Sequence, residues 1–191
     1  MPNYFRNFPK VRHTNQVAVD ITRRVRFADT LGSNPYVFLP YTVKEGESAS
    51  EIAHLYYGSV SYEWLVLMAN NVIDPYYDWP MKQANLDAFV ADKYRGLAEN
   101  DEGRELNDRE VVEWTRDQTT TANIAYYVDD EDVRISPESF TLDTSITASD
   151  WRAIRFYEYE FERNEEKRHI FLIRDNLATQ MQIDLEKELD V

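Results

Sequence analysis

The most constraining stretch of the chain is Ser48-Ala49-Ser50-Glu51 with the residues on either side of it. A serine followed three residues later by a glutamate has the spacing at which the two side chains satisfy each other's backbone amides at a helix start. Upstream, Val37–Val43 (VFLPYTV) reads as a short strand. Pro40 within it points to an edge position or a bulge, because proline cannot donate to a ladder. Lys44-Glu45-Gly46-Glu47 forms the turn between strand and helix. Ile52, Ala53, Leu55 and Tyr56 supply an apolar helix face, and Gly58 ends the helix. Ser61 opens a second helix that buries Trp64, Leu65, Leu67 and Met68, and Asn70-Asn71 closes it. A strand–helix–helix unit over 37–71 is therefore the centre of the predicted fold.

The flanks are read from it outward. Residues 1–36 form an extended arm, in which Pro2 and Pro9 discourage helix. Val17, Val19 and Ile21, then Val25 and Phe27, alternate with small or polar residues as one or two short strands would. Asp74-Pro75-Tyr76-Tyr77-Asp78-Trp79-Pro80 is a rigid aromatic loop between two prolines. A third helix runs from about Lys82 to Arg95 on Leu86, Phe89, Val90 and Tyr94, giving a module over 37–96. Residues 97–150 read as a variable acidic loop or insertion. Its weak strand candidates are Val111–Thr115, Ile124–Val128 and Val133–Ile135, and 136–150 reads as loop. Over 151–191, Tyr157, Tyr159 and Phe161 alternate with Glu158, Glu160 and Glu162. That pattern predicts a β-hairpin of Ile154–Phe161 with Arg168–Ile173, turned at Arg163–Glu166 and followed by a helix on Leu177, Met181 and Leu185. The predicted class is α+β.

Charge removes several functions. The formal net charge is −14. Nucleic acid and anionic membrane surfaces both need clustered cations, so neither is an expected partner. The distribution is uneven: six basic residues and the single acid Asp20 stand between Arg6 and Arg26, whereas seven acids and two arginines stand between Glu99 and Glu113. Such asymmetry suits docking against surfaces of opposite sign, or solubility alone. With no cysteine there is no disulfide, thiol chemistry or Cys-based metal site. The longest strongly apolar run, Trp64–Ala69, is far short of the roughly 20 residues that span a bilayer. With no secretory leader in MPNYFRNFPKV, the expected place of synthesis is the cytoplasm.

No catalytic constellation emerges. Glu158, Glu160 and Glu162 resemble paired carboxylates only superficially, since a solvated strand face opposite Lys167 and Arg168 explains them. His13, His54 and His169 have no ligand spacing, and Asp129-Asp130-Glu131-Asp132 lacks the pattern of a calcium loop. No metal or cofactor is expected. The Asp74–Trp79 loop is the chemically richest segment: its rings could stack on sugar, plug a partner's pocket, or close the module's own core.

Two resemblances bear on this. Tyr41-Thr42-Val43-Lys44-Glu45-Gly46-Glu47-Ser48 with Ile52-Ala53, Trp64-Leu65 and Asn70 resembles a LysM module over about thirty residues. The usual Gly-rich turn and closing strand are replaced by Asp74–Trp79, so glycan is not the expected ligand. The wider run Tyr57-Gly58, Tyr62–Met68, Asn70-Asn71 and Asp74–Trp79 closely resembles base plate wedge protein 53 of contractile-tailed phages. Ile21–Arg24, Tyr157–Glu160, Lys167-Arg168, Ile170 and the last helix resemble the same family. The likeness is dense over 37–82 and 157–185 and thin over 97–150.

That resemblance implies a structural, non-enzymatic subunit of the virion, assembled in the host cytoplasm. It would clamp neighbouring wedge subunits around the hub, near the sheath initiator and wedge scaffold proteins. The candidate interface residues are Tyr4, Phe5, Phe8, Arg23, Arg24, Asp74, Pro75, Tyr76, Tyr77, Trp79, Tyr157 and Tyr159. The alternative is a LysM-type protein binding peptidoglycan or chitin fragments.

Overall fold

In a computed structural model, the structure describes residues 8–20, 36–98, 104–143 and 146–189. They fold as two compact units, Met1–Pro80 with Arg168–Val191, and Met81–Lys167. Helices and small antiparallel sheets coexist in an α+β fold, as predicted.

In the first unit, β1 (Lys10–His13) and β2 (Gln16–Val19) form a hairpin closed at its base by Asp20 N–H donating to Pro9 O. Strand β3 (Phe38–Thr42) leads to α1 (Ala49–Tyr57). The capping box is made: Ser48 Oγ accepts from the Glu51 amide, and Glu51 Oε2 accepts from the Ser48 amide at 2.8 Å. Gly58 stops the helix in the left-handed region (φ 74°), where a side chain would be strained. A 3-10 turn (Val60–Tyr62) feeds α2 (Glu63–Ala69), which buries the consecutive residues Trp64, Leu65 and Val66.

Burying three successive residues requires packing on more than one side, and α2 has it. Trp64 and Leu65 join Phe8, Val37 and Ile173 with Ala178, Met181, Leu185 and Leu189 of the C-terminal helix α7 (Asp175–Leu189). Val66 faces the other cluster, with Val43, Ile52, Ala53, Ile170 and Leu172. Tyr57 and Tyr62 touch both clusters, and the Tyr57 hydroxyl donates to Ile173 O at 2.8 Å.

The partner of β3 is β7 (His169–Ile173), from beyond the second unit in sequence. The flanking bonds Val43 N–H to Arg168 O and Arg174 N–H to Val37 O fix which pairs in this antiparallel ladder are hydrogen-bonded. By alternation, Pro40 opposite Phe171 is a non-hydrogen-bonded pair, so the amide that proline lacks would have faced the open edge. The edge position predicted for Pro40 is the one observed.

The second unit holds α3 (Gln83–Tyr94), α4 (Asp108–Arg116), β4 (Ile124–Asp129), β5 (Arg134–Ile135), α5 (Pro137–Leu142), β6 (Trp151–Arg155) and α6 (Phe156–Glu166). Its sheet has the order β5-β4-β6, and its core joins Leu86, Val90, Ala91 and Tyr94 to Val111 and Val112. The predicted third helix is thus α3, and it packs with α4. The buried Arg155 guanidinium organises the segment before β4, donating to Asn123 Oδ1 at 2.6 Å and to the carbonyls of Gln118 and Thr120.

Three expectations are corrected. The predicted β-hairpin of 154–161 with 168–173 does not exist: only Ile154 and Arg155 of the first segment are strand, Phe156–Glu166 is helix, and β7 pairs with β3. The alternation misled because the deepest positions of α6 are polar. Glu160 (5% exposed) accepts from the Tyr94 hydroxyl at 2.7 Å and pairs with Lys93. Asn164 (3% exposed) bonds the Met81 backbone. With those two counted as surface, the helical period vanishes and the period of two remains.

Likewise Val111–Thr115 is not a strand but lies in α4. There Asn107 and Glu110 make a second capping box, and Val111, Val112 and Thr115 form one buried face. Within 136–150, read as loop, Ser136 caps the short helix α5 with Pro137 at its first position.

Candidate protein interface

The Asp74–Trp79 loop is held from inside by its own polar atoms. Asp78 Oδ2 accepts from the amides of Ile73 and Asp74, both at 2.9 Å. Asp74 Oδ1 accepts from the Tyr76 amide at 2.9 Å, and Asp74 O accepts from the amides of Tyr77 and Asp78. This is the Asx-turn chemistry expected of aspartates beside a proline. At the far end, the Trp79 indole N–H donates to Glu47 O at 2.9 Å, and the ring packs against the Val43–Ile52–Val66 cluster. The loop is thereby tied to the β3–α1 turn.

Beside the exposed Asp74 and Asp78, this frame presents large apolar side chains outward. Ile73 is 83% exposed, Tyr76 85% and Tyr77 57%. Large apolar side chains on a pre-ordered loop lose little conformational entropy on binding, which is how aromatic residues come to anchor protein interfaces. The loop divides by residue: Trp79 packs into the core of its own unit, whereas Tyr76 and Tyr77 are exposed.

The other predicted interface residues scatter. Phe8 is buried in the core of the first unit, so it anchors the base of the β1–β2 hairpin. Tyr4, Phe5, Arg23 and Arg24 lie outside the described residues. Tyr157 sits in a polar cluster of the second unit: its hydroxyl donates to Asp87 Oδ1 at 2.8 Å and accepts from Gln83, and the Arg116 guanidinium covers its ring at 3.6 Å. Burial first, and then the Asp87 carboxylate, raise the pKa of this phenol. Tyr159 packs edge-on against Tyr126 with Arg163 over its ring.

Sequence reading missed Ile73, which has no apolar periodicity around it, and the exposed Tyr36 and Leu55. The apolar face predicted for this helix includes Leu55, yet Leu55 is 73% exposed.

Among the described residues, no group of three or more His, Asp or Glu side chains is placed to hold a metal ion, and no helix is long and apolar enough to cross a membrane. The carboxylates Glu158, Glu160 and Glu162 have separate surroundings. Glu158 pairs with Arg152, and Glu160 lies buried between Lys93 and Tyr94.

Comparison with curated proteins returns no match. Against family models, residues 8–186, nearly the whole chain and including the stretch 97–150, match base plate wedge protein 53. The chain belongs to the base plate wedge protein 53 family, whose members are structural components of the phage tail base plate.

Proposed function

We propose that this subunit clamps neighbouring wedge subunits together around the base plate hub, and that the loop bearing Ile73, Tyr76 and Tyr77 is one of its gripping surfaces. The wedge scaffold proteins, the sheath initiator and the hub are the partners this reading favours. On this reading, assembly takes place in the host cytoplasm. The observation that carries the proposal is the combination of internal hydrogen bonds and outward apolar side chains in one loop. A loop that only connected two elements would have no need of both.

The test is incorporation. Ile73→Asp with Tyr76→Ala should leave the unfolding temperature of the free protein within a few degrees, because both side chains are exposed. The same variant, co-expressed with the other base plate proteins, should fail to co-purify with them. Normal incorporation would overturn the assignment of the loop.

A second reading rests on the order of elements in the first unit. The LysM resemblance lacked a closing strand, and the β3–α1–α2 segment pairs instead with β7. This supports a LysM-like module interrupted by residues 81–167, in which Tyr76 and Tyr77 would stack on peptidoglycan or chitin fragments. Retention on purified peptidoglycan, competed away by free glycan, would favour that reading over the clamp.

A further inference from the structure

The β1–β2 hairpin is a two-stranded sheet, and among the described residues none covers either of its faces. Every described side chain from Lys10 to Val19 is exposed, including Val11 (45%) and Val17 (66%). Two strands alone are marginal in water, and a stable sheet needs a third strand or a packed face. The register puts Lys10 opposite Val19 and Arg12 opposite Val17. Since alternate residues share a face, one side of the hairpin carries Lys10, Arg12, Val17 and Val19 together. Among the described residues neither cation is in an ion pair. Buried Phe8 roots this projection in the core of the first unit, so it is presented from a fixed base.

A surface that sets cations beside valines fits one that sets carboxylates beside apolar side chains, and the same chain carries one. A groove beside the start of α1 is lined by Glu45, Glu47, Glu51, Leu55 and Val60, with Lys44 its one lysine or arginine. Leu55 is 73% and Val60 44% exposed. Glu47 and Glu51 already accept internal hydrogen bonds and Glu45 pairs with Arg168, but a carboxylate has about four acceptor sites, so further donors can be taken. The charge balance agrees. With six basic residues and one acid between Arg6 and Arg26, the rest of the chain is five charges more negative than the total of −14.

We propose that the hairpin of one copy docks in the α1 groove of a second copy, Lys10 and Arg12 meeting the glutamates and Val17 and Val19 meeting Leu55 and Val60. The contact is head-to-tail: each copy offers a hairpin and a groove, so copies chain or close into a ring. One hairpin face is small, which makes the association weak and salt-sensitive. This contact is independent of the proposed clamp, because it needs no other base plate protein.

The test is sedimentation velocity on the full chain, up to about 1 mM and at low and high salt. The wild-type protein should sediment faster as concentration rises, less so in high salt. K10E/R12E and, separately, L55K should each weaken self-association about tenfold or more, as expected for losing contacts of this size. All three positions are exposed, so circular dichroism should be unchanged. Mixing the two variants leaves one intact hairpin and one intact groove, and should restore one-to-one dimers only. A wild-type protein that stays monomeric throughout, variants that associate as it does, or a mixture that does not dimerise would each overturn the proposal.

Discussion

The side-chain amide of Asn70 is bonded to both backbone atoms of Phe171, with Nδ2 donating to the carbonyl at 2.8 Å and Oδ1 accepting from the amide at 2.7 Å. It occupies the place a neighbouring strand would take. Because Phe171 is in a non-hydrogen-bonded pair with Pro40, its polar atoms face outward, and Asn70 satisfies them where β7 would otherwise present a bare edge. The same nitrogen donates to Val66 O at 2.8 Å, which ties α2 to β7.

Asn164 makes the equivalent pair in the second unit, accepting from the Met81 amide at 2.7 Å and donating to its carbonyl at 3.0 Å. Burial separates the two cases. Asn164 is 3% exposed, whereas Asn70 is half-buried. Asn164→Ala should therefore cost about 2–3 kcal/mol of unfolding free energy, and Asn70→Ala about 1 kcal/mol. Denaturant titration measures both, and equal costs would show that burial is not what decides them.

Trp79→Phe removes the indole donor to Glu47 O and keeps most of the packed ring. The expected loss is about 1 kcal/mol, with faster hydrogen exchange at Ile73 and Asp74, because the loop loses its tie to the β3–α1 turn. Exchange unchanged at those amides would show that the aspartates hold the loop unaided.

Glu110 caps α4 and accepts two bonds from Arg104. The Arg104 hydrogen bonds first, and then the Asn107 amide, push its pKa down to about 2 from 4.5. A depressed carboxylate contributes stability that is complete above its unfolded value and is lost as pH falls through the folded one, so this cap weakens between about pH 4.5 and 2. An NMR titration should place the Glu110 midpoint near 2, and Arg104→Ala should move it upward. A midpoint at the ordinary value in the wild type would contradict the arrangement.

Leu65 of α2 is fully buried in the cluster that includes Ile173 and the α7 residues Ala178, Met181 and Leu185. Leu65→Ala should cost about 3 kcal/mol and lower the melting temperature by several degrees, while Leu55→Ala on the exposed side of α1 should change it little. Similar effects at both positions would refute the assignment of α2 as the centre of this core.

Where the signals are local, sequence and structure agree. The span of α1 follows from Ser48, Glu51 and Gly58, the edge position of β3 from Pro40, and α3 from Leu86, Val90 and Tyr94. Where buried positions are polar, they part: Glu160 and Asn164 hid α6, and Val111, Val112 and Thr115 imitated a strand through their β-branched side chains. The pairing of β3 with β7 was illegible for another reason. Nothing local to Phe38–Thr42 names a partner on the far side of residues 81–167. At the candidate interface, the aromatic loop was legible as rigid, but which of its rings turn inward depends on the Trp79 bond to Glu47, a contact between distant residues.

The proposed clamp requires that the loop exposing Ile73 and Tyr76 be covered by another protein in the assembled base plate. Hydroxyl-radical footprinting of the free and the assembled protein reads that coverage residue by residue. Tyr76, 85% exposed in the free chain, should oxidise readily there and be strongly protected after assembly, while half-buried Trp79 changes little. Equal oxidation of Tyr76 in both states would show that no partner covers the loop.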